Sequence, residues 1–175
     1  MFYFKTTFII ITLIIAIFCC FACDSWARRY AESIRESAVI YGLDPGLLFA
    51  IADVESGFDP NAVSSAGAIG IMQIMPKTGE WIATCLLIEN YSNDLLLDPS
   101  LNICFGAFYL SYLFDRFDEV WQVVAAYNAG EGIVKEWVKS GLSCEEIPYL
   151  ETNRYVQRVE KAFRYYQGKK FVAFD

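Results

Sequence analysis

No histidine occurs anywhere in the 175 residues. That excludes Ser-His-Asp triads, Cys-His pairs and His-ligated zinc together. Proton transfer must then come from Asp, Glu, Tyr, Lys or Cys. Cations are also few: 14 Lys and Arg stand against 21 Asp and Glu, a net charge of −7. This argues against a nucleic-acid partner, whose phosphates need a basic face. The excess acid reads as a solvated surface. Cysteine is sparse after the N-terminal stretch, where only Cys85, Cys104 and Cys144 remain. Their spacing matches no metal pattern, so no metal and no cofactor are expected. An odd number permits at most one disulfide, and buried, inert thiols are the expectation. Internal repeats, low-complexity linkers and strand-like alternation are absent too.

What is present begins with a long apolar run. Residues 6–23, TTFIIITLIIAIFCCFAC, carry no charge. The run is just long enough to span a bilayer and long for a signal-peptide core. Residues 1–24 therefore read as a membrane anchor. A cleaved signal and a lipid-modified Cys23 are the alternatives, each with a mediocre processing site. Residues 25–170 suit one domain large enough for a real core, with 171–175 as a tail.

The pattern in that domain is helical nearly throughout. Trp26, Tyr30, Ile34 and Ala38 recur every four residues, with Gly42 as a stop. Asp44-Pro45 is a cap followed by proline at the first helical position, and that helix ends at Gly57. A loop rich in Gly, Ser and Ala runs from Phe58 to about Met75, and Pro76 opens the next helix. Asp98-Pro99 repeats the cap-and-proline start ahead of a long apolar helix. Further helices are predicted over 119–128, 133–138 and 152–166. The class is mainly α, with a small irregular or β-like piece over 64–73.

One carboxylate stands out. Leu47 to Ala52 is apolar on every side, so that helix is deeply buried. Glu55 lies four residues after Ile51 and seven after Leu48, and so projects with them. Asp53 lies about 200° around the helix and cannot readily serve the same site. Glu55 also occupies the last turn, where the helix dipole disfavours negative charge. Desolvation acts in the same direction, so its pKa should be raised. From this helix alone, an acid catalyst and a loop-capping side chain are equally good readings.

The rest of the chain separates them. VESGF at 54–58 is followed by SSAGAIGIMQIMPKT at 64–78, AAYNAG at 125–130 and ETNRYVQRV at 151–159. With these motifs in this order, the sequence resembles the lytic transglycosylases with a goose-type-lysozyme-like catalytic domain. The resemblance covers essentially all of residues 30–167. It implies a lysozyme-like fold of the α+β superfamily. It implies Glu55 as the acid/base, and Ser64, Met72 and Gln73 from a loop walling the cleft. Gly67 and Gly70 would let that loop turn and approach closely. It further implies Tyr127 close to the acid, Asn128 beside it and Tyr155 facing the sugar, with Glu151 holding a helix start. Read without the family, Met72 belongs to a core, Tyr155 to the buried stripe of the last helix, and Asn128 to a helix end.

Ordinary glycosidases need two carboxylates. Only one well-placed acid is found here, so a substrate-assisted route fits. The resemblance implies cleavage of the MurNAc-β-1,4-GlcNAc bond of peptidoglycan with a 1,6-anhydroMurNAc end. A hydrolytic muramidase on the same fold and a non-catalytic peptidoglycan-binding protein are the alternatives. The expected partners are glycan strands and, through the N-terminal segment, a membrane. The expected state is an extracytoplasmic monomer.

Overall fold

The computed structural model describes residues 25–169. The anchor expected over 1–24 and the tail over 171–175 lie outside these residues. Seven α-helices are α1 (Ala31–Tyr41), α2 (Pro45–Ser56), α3 (Pro76–Cys85), α4 (Pro99–Phe114), α5 (Val120–Ala129), α6 (Glu131–Lys139) and α7 (Leu150–Gln167). A helical stretch over 25–29 leads into α1. Two 3₁₀ segments, Asn93–Leu97 and Cys144–Glu146, join longer elements.

Helix starts follow the sequence punctuation. Asp44 accepts a hydrogen bond from the Gly46 amide at 2.7 Å and opens α2. Asp98 does the same for the Leu101 amide at 2.8 Å and opens α4. Each cap satisfies one of the amides a helix start leaves without a partner. Glu119 and Gln122 form a reciprocal capping box at the start of α5. Gly42 and Gly57 end α1 and α2 in the left-handed conformation.

Helix α2 is the centre of the molecule. Leu47 to Ala52 are all buried, as the unbroken apolar run requires. It packs chiefly on α7, while α1 packs on α4. Phe49 stacks on Tyr166 of α7 with ring centroids 5.5 Å apart, and Phe58 meets the same ring edge-on. Burying large aromatic faces fixes α2 and α7 relative to each other. The Glu55 end of α2 and the Tyr155 side of α7 are thereby held face to face.

The expected β-like piece is present in minimal form. Val63 bridges Ile69, and Ile69 bridges Ile74, both antiparallel. Two expectations are corrected. Trp26 is exposed, and Ala27 takes the buried position instead. The helix is interrupted at Tyr30 (φ −105°, ψ 7°), which turns the preceding residues out of the four-residue register. Cys85 is exposed at the end of α3, and Cys104 and Cys144 are only half-buried; all three are free thiols. Cys104 Sγ lies 3.4 Å from the Tyr41 hydroxyl, and Cys144 borders a surface hollow.

Candidate active site

Glu55 sits in the last turn of α2, half-buried. The Tyr155 hydroxyl donates to its Oε1 at 2.6 Å. Burial raises the Glu55 pKa to about 7. The Tyr155 hydrogen bond and the Arg158 charge pull it back down, but less strongly. Desolvation therefore wins over the two groups that stabilise the carboxylate. The result is a carboxyl that is protonated about half the time at neutral pH, able both to give and to take a proton.

Two phenols flank this carboxyl. Burial pushes both Tyr155 and Tyr127 well above the ordinary range, and the Glu55 charge adds to each. Both stay protonated and act only as donors. The Tyr155 hydroxyl donates a hydrogen bond to Glu55, and the Tyr127 hydroxyl donates one to the Met72 carbonyl at 2.8 Å. The phenol touching the acid is thus Tyr155, from the stripe of α7. Tyr127, expected close to the acid, lies near enough to feel its charge and bonds to the loop beside it.

That loop, residues 58–75, is pinned by its backbone. The Ser56 hydroxyl donates to the Ile71 carbonyl at 2.8 Å, tying the end of α2 to the loop. Asn102, fully buried in α4, accepts from the Met72 amide at 2.7 Å. Its amide nitrogen donates to the Ile69 and Leu96 carbonyls, each at 2.9 Å. One side chain so satisfies three buried main-chain groups that would otherwise be unpaired. Gly70, at φ +81°, passes so close that a Cβ would lie 2.5 Å from both Asn102 Nδ2 and the Leu96 carbonyl oxygen. Only glycine fits both the conformation and the space.

The expected loop residues divide. Gln73 adopts φ +48° and donates from Nε2 to the Gly70 carbonyl at 2.9 Å and the Ala62 carbonyl at 3.2 Å. A non-glycine residue in the left-handed region is a strained conformation, held here by the side chain's own bonds. Ser64 closes the loop on itself, its Oγ accepting from the Ala68 amide at 3.0 Å. Met72 does not present its side chain to the cleft. It is fully buried against Gly106, where a Cβ would meet Met72 atoms at 2.7–2.8 Å. Its contribution is its backbone, which Asn102 and Tyr127 hold from both sides. Asn128 is exposed and lines a cleft of about 580 Å³ with Tyr155, Arg154 and Arg158.

Sequence reasoning missed Asn102, Ser56 and Arg158. Asn102 was visible as a lone amide inside the apolar run of α4. Ser56 stood beside Glu55 in VESGF. Among the described residues no second carboxylate bonds to Glu55: Asp53 lines a different hollow, and Glu151, though on the cleft, is exposed and does not bond to it. Among the described residues, no group of three or more Cys, Asp or Glu side chains could hold a metal ion.

Comparison with known proteins shows the family and the fold. Residues 32–147 match the family described as Transglycosylase SLT domain. The chain is 38% identical over 134 residues to the soluble lytic murein transglycosylase of Escherichia coli (strain K12), covering 69% of this chain and 21% of that protein. It is 37% identical over 118 residues to the membrane-bound lytic murein transglycosylase C of Glaesserella parasuis, covering 62% of this chain and 32% of that one. Among solved structures it is similar to an inactive glutamate-to-glutamine mutant of the lytic transglycosylase Slt from Pseudomonas aeruginosa. There the TM-score is 0.73 at 35% identity, over 77% of this chain and 23% of that one. It is also similar to a 70-kDa soluble lytic transglycosylase in complex with bulgecin A, with a TM-score of 0.74 at 33% identity, over 86% and 26% of the two chains. The chain thus spans 21% to 32% of the length of the curated relatives it matches.

Proposed function

This chain belongs to the transglycosylase SLT domain family, with its lysozyme-like fold, and from that premise we propose that it is a peptidoglycan lytic transglycosylase with Glu55 as its single acid/base. The observation that carries the reading is the Glu55 carboxyl itself. It is half-buried beside a cleft, bonded by Tyr155, its pKa raised to about 7, and among the described residues it has no carboxylate partner.

In its neutral form Glu55 protonates the bridging oxygen between MurNAc and GlcNAc, and the bond from that oxygen to C1 breaks. The carbonyl oxygen of the MurNAc N-acetyl group closes onto C1 as it becomes electron-deficient. Glu55, now ionised, takes the proton of the same sugar's 6-hydroxyl. That oxygen attacks C1 and displaces the carbonyl, closing a 1,6-anhydro ring. Glu55 ends protonated, and no water is consumed. Tyr155 orients the carboxyl and stabilises its ionised form between the two steps. The pinned loop over 69–73 and Tyr127 supply a fixed wall, which matters because a misplacement of about 1 Å costs catalysis heavily. Ser64, Gln73 and Asn128 are the polar groups proposed to meet the glycan there.

No helix among the described residues is long and apolar enough to cross a membrane. We assign that role to residues 6–23, which would hold residues 25–170 on the extracytoplasmic face as a monomeric catalytic domain. The relatives named above include both a membrane-bound and a soluble form.

Product mass tests the reaction. Digestion of purified sacculi should release muropeptides one water lighter than reducing-end fragments. Products with ordinary reducing ends would make the enzyme a muramidase on the same fold. Binding to sacculi without release of any product would make it a binding protein.

A further inference from the structure

Helix α7 holds the Glu55 turn by more than the acid's carboxyl. Helix α2 ends tightly: the Gly57 amide bonds back to the Asp53 carbonyl at 2.9 Å, and the Phe58 amide to the Ala52 carbonyl at 3.4 Å. In a continuing helix the Phe58 amide would go to Val54. Its diversion to Ala52 leaves the Val54 carbonyl, next to the acid, open at the negative end of the helix. Arg158 of α7 fills that opening, its Nη2 donating to the Val54 carbonyl at 3.0 Å. Three residues earlier, and so on the same helix face, the Tyr155 hydroxyl donates to Glu55 Oε1 at 2.6 Å. Helix α7 thus grips two consecutive residues of α2, one by its backbone and one by its side chain.

We infer that Arg158 is a positioning residue for Glu55: its guanidinium ties the last turn of α2 to α7 and keeps the acid seated against Tyr155 while the proton is given up and taken back. The inference rests on the function proposed above. Glu55 changes charge twice in one turnover. When it ionises, it lies in the last turn of its helix, where the dipole repels it and burial withholds water. A cation bonded to the neighbouring carbonyl offsets that repulsion. The bond goes to the carbonyl and not to the carboxyl, so the acid's oxygens stay available to the sugar. Burial raises the Glu55 pKa, and the Tyr155 bond and then the Arg158 charge lower it. The other titratable or charged groups around the acid are Tyr127 on α5, Tyr155 on α7, Asp53 on its own helix, and Glu151 and Arg154 on the border of the cleft. Both phenols are pushed well above the ordinary range by burial, so a transition near pH 7 in this cluster belongs to Glu55.

Two measurements on the full chain in a non-ionic detergent test this. In protein labelled with carbon-13 at the Glu side-chain carboxyl, the Glu55 signal is identified by its loss in Glu55→Gln and followed with pH. Its midpoint should lie higher in Arg158→Gln than in the unmodified chain. It should return in Arg158→Lys, which keeps a cation and a donor for the Val54 carbonyl. Lys161→Gln removes the same charge from an exposed site one turn further on and should leave the midpoint in place. On purified sacculi, Arg158→Gln should lower kcat about tenfold with little change in KM, the pattern of an interaction that serves the reacting group and not substrate binding. Arg158→Lys should regain most of that loss. A midpoint that Arg158→Gln does not move overturns the inference. A raised KM with kcat unchanged overturns it too, and makes Arg158 a substrate contact. A loss of kcat that Arg158→Lys does not relieve also overturns it. Absence of product from the unmodified chain, with the midpoint moving as described, would instead remove the proposed function, and the inference with it.

Discussion

Replacing Glu55 by Gln should stabilise the fold at alkaline pH while removing the acid. The unfolded carboxyl ionises near 4.5 and the folded one near 7. Between these values the native state keeps a proton that the unfolded chain releases. Stability therefore falls as pH rises from 4.5 to 7 and stays level above. The difference of 2.5 units (7 − 4.5) corresponds to about 3 kcal/mol at roughly 1.4 kcal/mol per unit. Gln keeps the shape and can still accept the Tyr155 hydrogen bond, so the substitution removes the desolvated charge and little else. Glu55→Gln should then exceed the unmodified chain by about 3 kcal/mol at pH 8, or roughly 10 °C in Tm for a domain this size. At pH 4, where Glu55 is neutral in both states, the two should agree to within about 0.5 kcal/mol, the ordinary scale of a harmless change. Urea denaturation of both proteins in a non-ionic detergent, across pH 4–8, measures this. A stability difference that did not vary with pH would refute the claim that burial, and not hydrogen bonding, governs Glu55. A difference favouring the unmodified chain at pH 8 would refute it equally.

Tyr155→Phe removes a bond that holds the Glu55 pKa down. The alkaline limb of kcat/KM, set by loss of the Glu55 proton near pH 7, should move to higher pH while the maximal rate falls about tenfold to a hundredfold, the loss typical when a catalytic group is less well oriented. Tyr127→Phe frees the Met72 carbonyl. It should cost about 1 kcal/mol in urea denaturation, yet lower activity clearly, because the wall of the cleft is loosened. Asn102→Ala orphans three buried main-chain groups. It should cost about 3–5 kcal/mol by the same measurement; a loss below about 1 kcal/mol would mean the loop does not depend on Asn102.

Much of this fold is legible in the sequence because its punctuation is local. Asp44-Pro45, Asp98-Pro99 and Pro76 each fix a helix start through one cap or one missing amide. The buried run over 47–52 needs no partner to be recognised, and the helical angle puts Glu55 with Leu48 and Ile51; its reading as the acid needs the motifs in the rest of the chain. What escaped depends on distant partners. Nothing local shows that the Met72 side chain turns into the core against Gly106 while its backbone faces Asn102 and Tyr127. Nor does spacing say which of Tyr127 and Tyr155 reaches the carboxyl; the packing of α7 on α2 decides that. Trp26 fell on the right spacing but outside the core, because the helix breaks at Tyr30. Cys85 was expected inside and lies on the surface, since a small thiol packs or faces water with little to choose.

The most direct test of the central claim is a mass analysis of muropeptides released from purified sacculis by the unmodified chain and by Glu55→Gln, side by side. The account predicts anhydro-ended fragments from the first, falling away above pH 7, and none from the second, although the second is the more stable protein at that pH. Release of the same fragments by Glu55→Gln would contradict it.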